Sequence, residues 1–137
     1  MACTWESFIS RPDRRVRWLD WNADHPLAKG VWAEAGLTLA LEDWLSARDS
    51  GYTYCGIVED GVLVSIAAVW TYSHHAWEVA AVRTRADHRR RGLATAVVSF
   101  VTEHILRNGR WATCHTRSDN LAMLKTAQAI GFTIVAD

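Results

Sequence analysis

The change of hydrophobic period in the middle of the chain limits the fold more than any other feature. Residues 52–70 read YTYCGIVEDGVLVSIAAVW, two strand-like runs separated by Glu59, Asp60 and Gly61. An Asp-Gly pair between apolar runs predicts a hairpin, because both residues tolerate a positive φ. The second run, residues 62–70, is almost continuously apolar, which is typical of a strand covered on both faces.

The elements that follow alternate between strand and helix. Residues 76–84 predict a third strand, after which the period becomes helical. One face of this helix carries Leu93, Val97, Phe100, Val101 and His104. Asn108-Gly109 predicts the end of this helix. The remaining pattern predicts a strand, a helix that Asp119 could cap, and a last strand, at residues 111–116, 119–130 and 132–136. This order favours an α/β sandwich.

The first fifty residues are harder to interpret. Pro12, Pro26, Gly30 and Gly36 interrupt any long periodic element, although short helices are predicted at residues 26–35 and 41–49. Five of the chain's eight tryptophans fall in this region: Trp5, Trp18, Trp21, Trp32 and Trp44. They either pack in and around the core or form an aromatic wall for a substrate cleft.

Charge, length and cysteine usage exclude several classes of protein. Lys and Arg number 15, as do Asp and Glu, so no general basic field attracts nucleic acid or an anionic membrane. A chain of 137 residues suits a single domain, residues 1–137. It has neither a secretory signal pattern nor an apolar run of membrane-spanning length, so we expect a soluble, cytoplasmic protein. Cys3, Cys55 and Cys114 lack C-x-x-C spacing, which argues for reduced thiols and against a metal site.

Three consecutive arginines mark the candidate binding site. The segment DHRRRGLATAV, residues 87–97, lies where the third strand gives way to a helix. A helix begins with unpaired amides and partial positive charge, which suit a phosphate. Gly92 and Ala94 would let an anion approach the backbone, and the arginine side chains could add charge. The alternative is an ordinary solvated turn.

This segment resembles the central motif of the GNAT superfamily of N-acetyltransferases, Gln/Arg-x-x-Gly-x-Gly/Ala after an apolar strand. Arg89, Gly92 and Ala94 fill the specified positions. A second block, DNLAMLKTAQAIGF, is similar to the C-terminal motif of that family, in which an asparagine opens a helix that ends in Gly-Phe. Asn120 is that asparagine, and the two blocks together span residues 77–132.

The resemblance implies a mixed, mostly antiparallel sheet flanked by helices, and acetyl-CoA as the donor. The pyrophosphate would rest on the amides of Arg90, Arg91, Gly92, Leu93, Ala94 and Thr95, with Arg89 opening the motif. The pantetheine arm would bond to the backbone of Val82, Arg83 and Thr84 like an added strand. The Val82 amide would also polarise the acetyl carbonyl, and Asn120 would contact the arm from the other side.

Glu78 is the candidate catalytic residue. An ordinary ammonium keeps its proton at neutral pH, so a base must accept it before the amine can attack. Glu78 lies fourteen positions before Gly92, the distance at which histone-acetylating members of the family carry a catalytic glutamate. The alternative is a strand residue that points to solvent or pairs with a basic side chain.

The protonation of the leaving thiolate is a departure from the family pattern. Many members carry a tyrosine seven residues after the motif asparagine, where this chain has Ala127. Water could protonate the thiolate, or it could leave as the anion. Ser118, His115 and Cys114 are near in sequence, and nothing in the sequence selects among them.

Other polar residues near these segments have simpler interpretations. His74 and His75 could bind metal or relay protons, but no third ligand has a recognisable spacing, so a solvated turn is favoured. His88 is interpreted as a loop residue and Cys114 as a small buried apolar residue. Only five residues follow Phe132, so we expect a shortened C-terminus or a partner strand, which would allow a homodimer.

Two functions remain open from the sequence. The first is an acetyl-CoA-dependent N-acetyltransferase that acts on a primary amine of a small molecule or peptide. The second is a non-catalytic acyl-CoA-binding or regulatory module of the same fold, which Ala127 and the shortened C-terminus would suit. Nucleic-acid binding through the arginines is disfavoured by the balanced charge.

Overall fold

The structure is a computed structural model that describes residues 1–135. It contains the strands β1 (Ala2–Cys3), β2 (Arg17–Trp18), β3 (Tyr52–Glu59), β4 (Val62–Trp70), β5 (Ala76–Thr84) and β6 (Trp111–Cys114). Its α-helices are α1 (His25–Glu34), α2 (Leu41–Asp49), α3 (Leu93–Arg107) and α4 (Leu121–Ile130). None of the helices in this described part of the chain is both long and apolar enough to cross a membrane.

The predicted hairpin is confirmed as β3 and β4. Its turn uses Asp60 at φ 52° and Gly61 at φ 76°, the left-handed conformations for which this dipeptide is suited. Near the turn Glu59 pairs with Val62, and a bulge after Ile57 then shifts the register by one residue. Such a shift changes which side chains of the two strands share a face.

All the strands join one sheet, in the order β1-β6-β5-β4-β3-β2. Every neighbouring pair is antiparallel except β5 and β6, so the predicted mixed, mostly antiparallel sheet is confirmed. The parallel pair covers only residues 76–79 of β5, because β6 ends opposite Val79. Beyond Val79, β5 continues to Thr84 with no strand on that side among residues 1–135. This leaves a gap in the sheet.

Helices cover both faces of the sheet. One face packs against α3 and α4, with Val97 and Ile105 fully buried, and the other packs against α1 and α2 around Trp44. Strand β4 contributes to both cores: Val64 and Val69 belong to the first, and Leu63, Ile66 and Ala68 to the second. The continuous apolarity of β4 is thus explained by burial on both faces.

The predicted last strand, residues 132–136, is wrong within the described residues. Thr133 forms only an isolated bridge to Ala2, Val135 is exposed, and Ala136 lies outside the described residues. The edge beside β6 is instead taken by the short strand β1, which sequence analysis missed together with β2. Gly131 fixes this corner: it has φ 104°, and an added Cβ would collide with the carbonyl of Ser7.

Candidate active site

A cleft of about 1000 Å³ opens where β5 and β6 diverge. It is lined by the β5 edge, the loop before α3, the start of α4 and the end of α1. Eleven of the twelve predicted site residues line it: Glu78, Val82, Arg83, Thr84, Arg89, Arg90, Gly92, Leu93, Ala94, Thr95 and Asn120. The two motif blocks therefore meet in space as well as in sequence.

The edge of β5 is distorted where it enters the cleft. Ala81 has φ 53°, in the left-handed region that a residue with a Cβ rarely adopts, and the pairing with β4 shifts register opposite it. A bulge of this kind redirects the backbone of a strand and is common beside active sites. It lies immediately before Val82, Arg83 and Thr84.

The loop before α3 lines the cleft and contains two left-handed residues. Arg90 at φ 65° and Gly92 at φ 78° are both left-handed, and Gly92 is the N-cap of the helix without a side-chain cap. Left-handed residues within a turn direct amides toward a common point, and the first helical amides have no intrahelical partner. A Cβ added at Gly92 would meet no protein atom within 4 Å, so the space in front of it is open.

Arg91 differs from the other two arginines of the segment in its contacts. Arg91 is the one predicted residue that does not line the cleft: its guanidinium makes two hydrogen bonds to Glu59, at 2.9 and 3.2 Å. The Arg91 hydrogen bond lowers the pKa of the Glu59 carboxyl below its ordinary value. Arg89 donates its Nε to the carbonyl of Thr84 at 3.2 Å. Of these three arginines only Arg89 and Arg90 line the cleft, because Glu59 on the hairpin binds the third.

Glu78 contacts His115, a partnership that the sequence did not reveal. Glu78 Oε1 lies against His115 Nδ1; the glutamate side chain is 14% exposed and that of the histidine 75%. Within the parallel pair Glu78 is opposite Thr113, and His115 follows two residues later, so both side chains lie on the same face. The alternative interpretation of Glu78, a pair with a basic side chain, therefore describes part of its environment.

The start of α4 forms the opposite wall. The Asn120 side chain caps the helix by accepting a hydrogen bond from the Met123 amide at 3.2 Å, and both residues line the cleft. Ala127 is fully buried in the core on the α3 side and carries no proton-donating group. Cys114 does line the cleft, and burial raises the pKa of its thiol to about 11, so the thiol stays protonated at neutral pH. It is one of three buried free cysteines.

Sequence analysis also missed residues of α1 that complete the cleft. Val31, Glu34 and Ala35 line it beside the end of β5, and the Arg83 guanidinium lies 5.8 Å from the ring centre of Trp32. No periodic signal in the first fifty residues could have assigned them. His74 and His75 lie outside this cleft, and no group of three potential metal ligands forms within residues 1–135.

The family model that matches the chain is described as the acetyltransferase (GNAT) family and covers residues 14–132. No curated protein matches the chain in sequence. Solved structures with the same fold include a GNAT-family protein from Novosphingobium aromaticivorans (22% identity, TM-score 0.75), of which this chain covers only 55% while 92% of this chain is covered.

Two further similar structures have named activities or ligands. An aminoglycoside N-acetyltransferase solved with CoA has 16% identity and a TM-score of 0.71, covering 89% of this chain and 93% of its own. The ribosomal-protein-S18-alanine N-acetyltransferase of Escherichia coli has 15% identity and a TM-score of 0.73, covering 88% and 78%. At these identities the likeness shows the fold alone, whereas the family match extends over most of the chain. The chain therefore belongs to the GNAT family of acetyltransferases.

Proposed function

We propose that this protein transfers an acetyl group from acetyl-CoA to a primary amine of a small molecule or peptide. The observation that carries the proposal is a single cleft that combines three features. They are a strand edge that has no neighbouring strand beyond Val79 within residues 1–135, a loop with left-handed Arg90 and Gly92 at a helix start, and a carboxylate paired with an exposed histidine. Similar proteins have been solved with CoA and with acetyl-CoA.

The backbone of the cleft suits the donor. The amides of residues 90–95 would hold the pyrophosphate, since converging amides at a helix start stabilise an anion without the cost of rearranging side chains. The β5 residues Val82, Arg83 and Thr84 would bond to the pantetheine arm, and Asn120 would contact it from α4. Bound acetyl-CoA would supply a thioester, and the Val82 amide beside the bulge would stabilise negative charge that develops on its oxygen.

Glu78 would accept the proton of the acceptor amine. An alkylammonium has a pKa of roughly 10, so almost all of it is protonated at neutral pH and cannot attack a carbonyl. The Glu78 carboxylate lines the cleft, and its partner His115 is exposed to solvent. We propose that His115 passes the proton from Glu78 to water, which would restore the carboxylate for the next turnover.

The leaving thiolate would take its proton from water. Ala127 offers no donor, and the Cys114 thiol, with a pKa of about 11, is a weaker acid than an ordinary thiol at roughly 8.5. Proton transfer from Cys114 to the coenzyme thiolate would thus run uphill. A thiolate is a stable enough anion near neutral pH to leave before it is protonated.

Calorimetry and a coenzyme-release assay together test the proposal. We expect acetyl-CoA to bind with a stoichiometry of one per chain, and free thiol to appear only when a reactive amine is added. The second candidate, a non-catalytic acyl-CoA-binding module, is favoured by Ala127. It predicts the same binding with no thiol release from any member of a broad amine panel. Failure to bind acetyl-CoA at all would overturn both.

A further inference from the structure

Three aromatic side chains form a continuous strip on the sheet face that packs against α1 and α2. We call Tyr52, Trp70 and Tyr72 the aromatic strip. The rings of Tyr52 and Trp70 are stacked at 5.4 Å with an interplanar angle of 5°, and Tyr72 adds to Trp70 at 5.0 Å. Tyr52 and Trp70 are half-buried, whereas Tyr72 is 41% exposed. The strip therefore presents apolar surface to solvent.

The aromatic strip leads directly to the proposed base. Glu78 is the cross-strand partner of Trp70, and in a direct antiparallel pair the two side chains lie on the same face. Tyr72 extends toward the other neighbour of Glu78: its hydroxyl lies 3.1 Å from Thr113 Oγ1, and Thr113 is the β6 residue opposite Glu78. An apolar group that packs on the strip would hold an attached ammonium close to the carboxylate.

The charged residues that line the cleft limit the number of positive charges that the acceptor can carry. The lining contains Arg83, Arg85, Arg89, Arg90 and Lys125, against only Glu34 and Glu78 as carboxylates. Glu34 already accepts a hydrogen bond from the Ala86 amide. An acceptor with several ammonium groups would leave most of them without a carboxylate partner in the cleft lining.

We propose that the acceptor is a monoamine attached to a planar apolar ring, with the ring on the aromatic strip and the ammonium at Glu78. This inference rests on the proposed function and names its substrate class. Aromatic faces and edges favour planar rings over saturated groups of equal size, because ring quadrupoles add to the area buried. Glu78, whose carboxylate also contacts His115, would pair with a single ammonium.

Matched amines and variants test the inference. The probes are 2-phenylethylamine, its saturated analogue 2-cyclohexylethylamine, the polyamine kanamycin and a peptide with an N-terminal alanine. We expect kcat/KM for 2-phenylethylamine to exceed that for kanamycin and for the peptide by at least about tenfold. Trp70→Leu should raise the KM for 2-phenylethylamine by about tenfold and leave the KM for acetyl-CoA unchanged. Trp5→Leu, at an exposed tryptophan outside the strip, is the control.

Two additions make each result decisive. Tyr72→Ala should give the same change in KM and serves if Trp70→Leu fails to fold, because Tyr72 is exposed and its loss leaves no core cavity. Saturation-transfer NMR with 2-phenylethylamine measures ring binding without turnover, so it decides the inference even if no amine is acetylated. Ring binding that is unchanged in both variants, or turnover that favours kanamycin or the peptide, would overturn it.

Discussion

The proposed site has two halves that are built from different parts of the polypeptide. We call residues 82–84 and 90–95 the donor half. The acceptor half consists of Glu78 and His115, which line the cleft, and of the aromatic strip, which lies beside Glu78 outside the cleft lining. The donor half offers backbone amides, fixed by a bulge and by the left-handed Gly92. The acceptor half offers side chains from separate strands and from the segment after β6. A backbone site depends on local conformation, whereas a side-chain site depends on tertiary register.

The largest expected effect is on the donor half. Gly92→Val places a branched side chain in the open space where the pyrophosphate would lie, and we expect acetyl-CoA affinity to fall by on the order of 100-fold or more. Calorimetry measures the loss.

Gly109→Val is the matched control for this variant. Gly109 has φ 74° against 78° at Gly92, with equally open space around its Cα, so both substitutions impose the same backbone strain. If both variants lose a similar amount of Tm and only Gly92→Val loses acetyl-CoA binding, the assignment of Gly92 to the pyrophosphate site is supported. Equal affinity in the two variants would contradict it.

The next effect concerns the acceptor half. Glu78→Gln keeps the shape of the side chain but removes the base, so turnover should fall on the order of 10²-fold near pH 7 with little change in acetyl-CoA affinity. Part of the rate should return as the pH rises, because deprotonated amine becomes available from solution. An unchanged pH–rate profile would place the base elsewhere, and a large loss of donor affinity would make Glu78 structural.

His115→Gln should have a smaller effect on the same step. Glutamine can still hydrogen-bond to Glu78 but cannot exchange protons, so we expect turnover to fall roughly tenfold while the KM for acetyl-CoA is unchanged. Added imidazole should restore part of the rate, because the His115 side chain is 75% exposed and the space it leaves is accessible. His75→Gln, outside the cleft, is the control. If His115→Gln keeps full activity and added imidazole has no effect, His115 takes no part in the proton transfer.

The smallest effects separate the arginines. Arg90→Ala should weaken acetyl-CoA binding by roughly tenfold, since it removes charge from the cleft, whereas Arg91→Ala should change it about twofold or less. Arg91→Ala should instead lower Tm slightly near neutral pH. The difference in Tm between Arg91→Ala and the parent should disappear in acid. The pKa of Glu59 is lowered in the folded state, so the ion pair contributes its full stability above the ordinary carboxyl pKa. That stability is lost as the pH falls through the lowered pKa. Equal effects on binding would mean that Arg91 leaves Glu59 when the donor binds.

The difference between the halves also explains what the sequence could predict. The pattern Arg89-x-x-Gly92-x-Ala94 resembles the GNAT motif and so predicted the donor half, because the conformation of a turn depends on residues that are adjacent in the sequence. The side chain of Arg91 was misplaced because Glu59 is 32 residues away on the hairpin. His115 is 37 residues from Glu78, and the period-two relation between them appears only once the parallel register is known.

The aromatic strip shows the same limit more sharply. A regular hairpin that pairs Glu59 with Val62 would bring Tyr52 opposite Val69, and Trp70 would then lie on the other face. The bulge after Ile57 shifts the pairing by one residue and brings Tyr52 opposite Trp70. No sequence signal marks this bulge. The sequence alone therefore could not predict that Tyr52 and Trp70 lie on the same face of the sheet.

An amide NMR titration with acetyl-CoA tests the central claim most directly. We expect the largest ¹H–¹⁵N shift changes at residues 82–84 and 90–95 and smaller changes at Glu78 and His115. A second cleft, lined by His74, His75 and Trp111 among others, should show none. Saturable shift changes centred on that second cleft, with the signals of residues 90–95 unchanged, would contradict this expectation. They would mean that acetyl-CoA does not bind at residues 82–84 and 90–95.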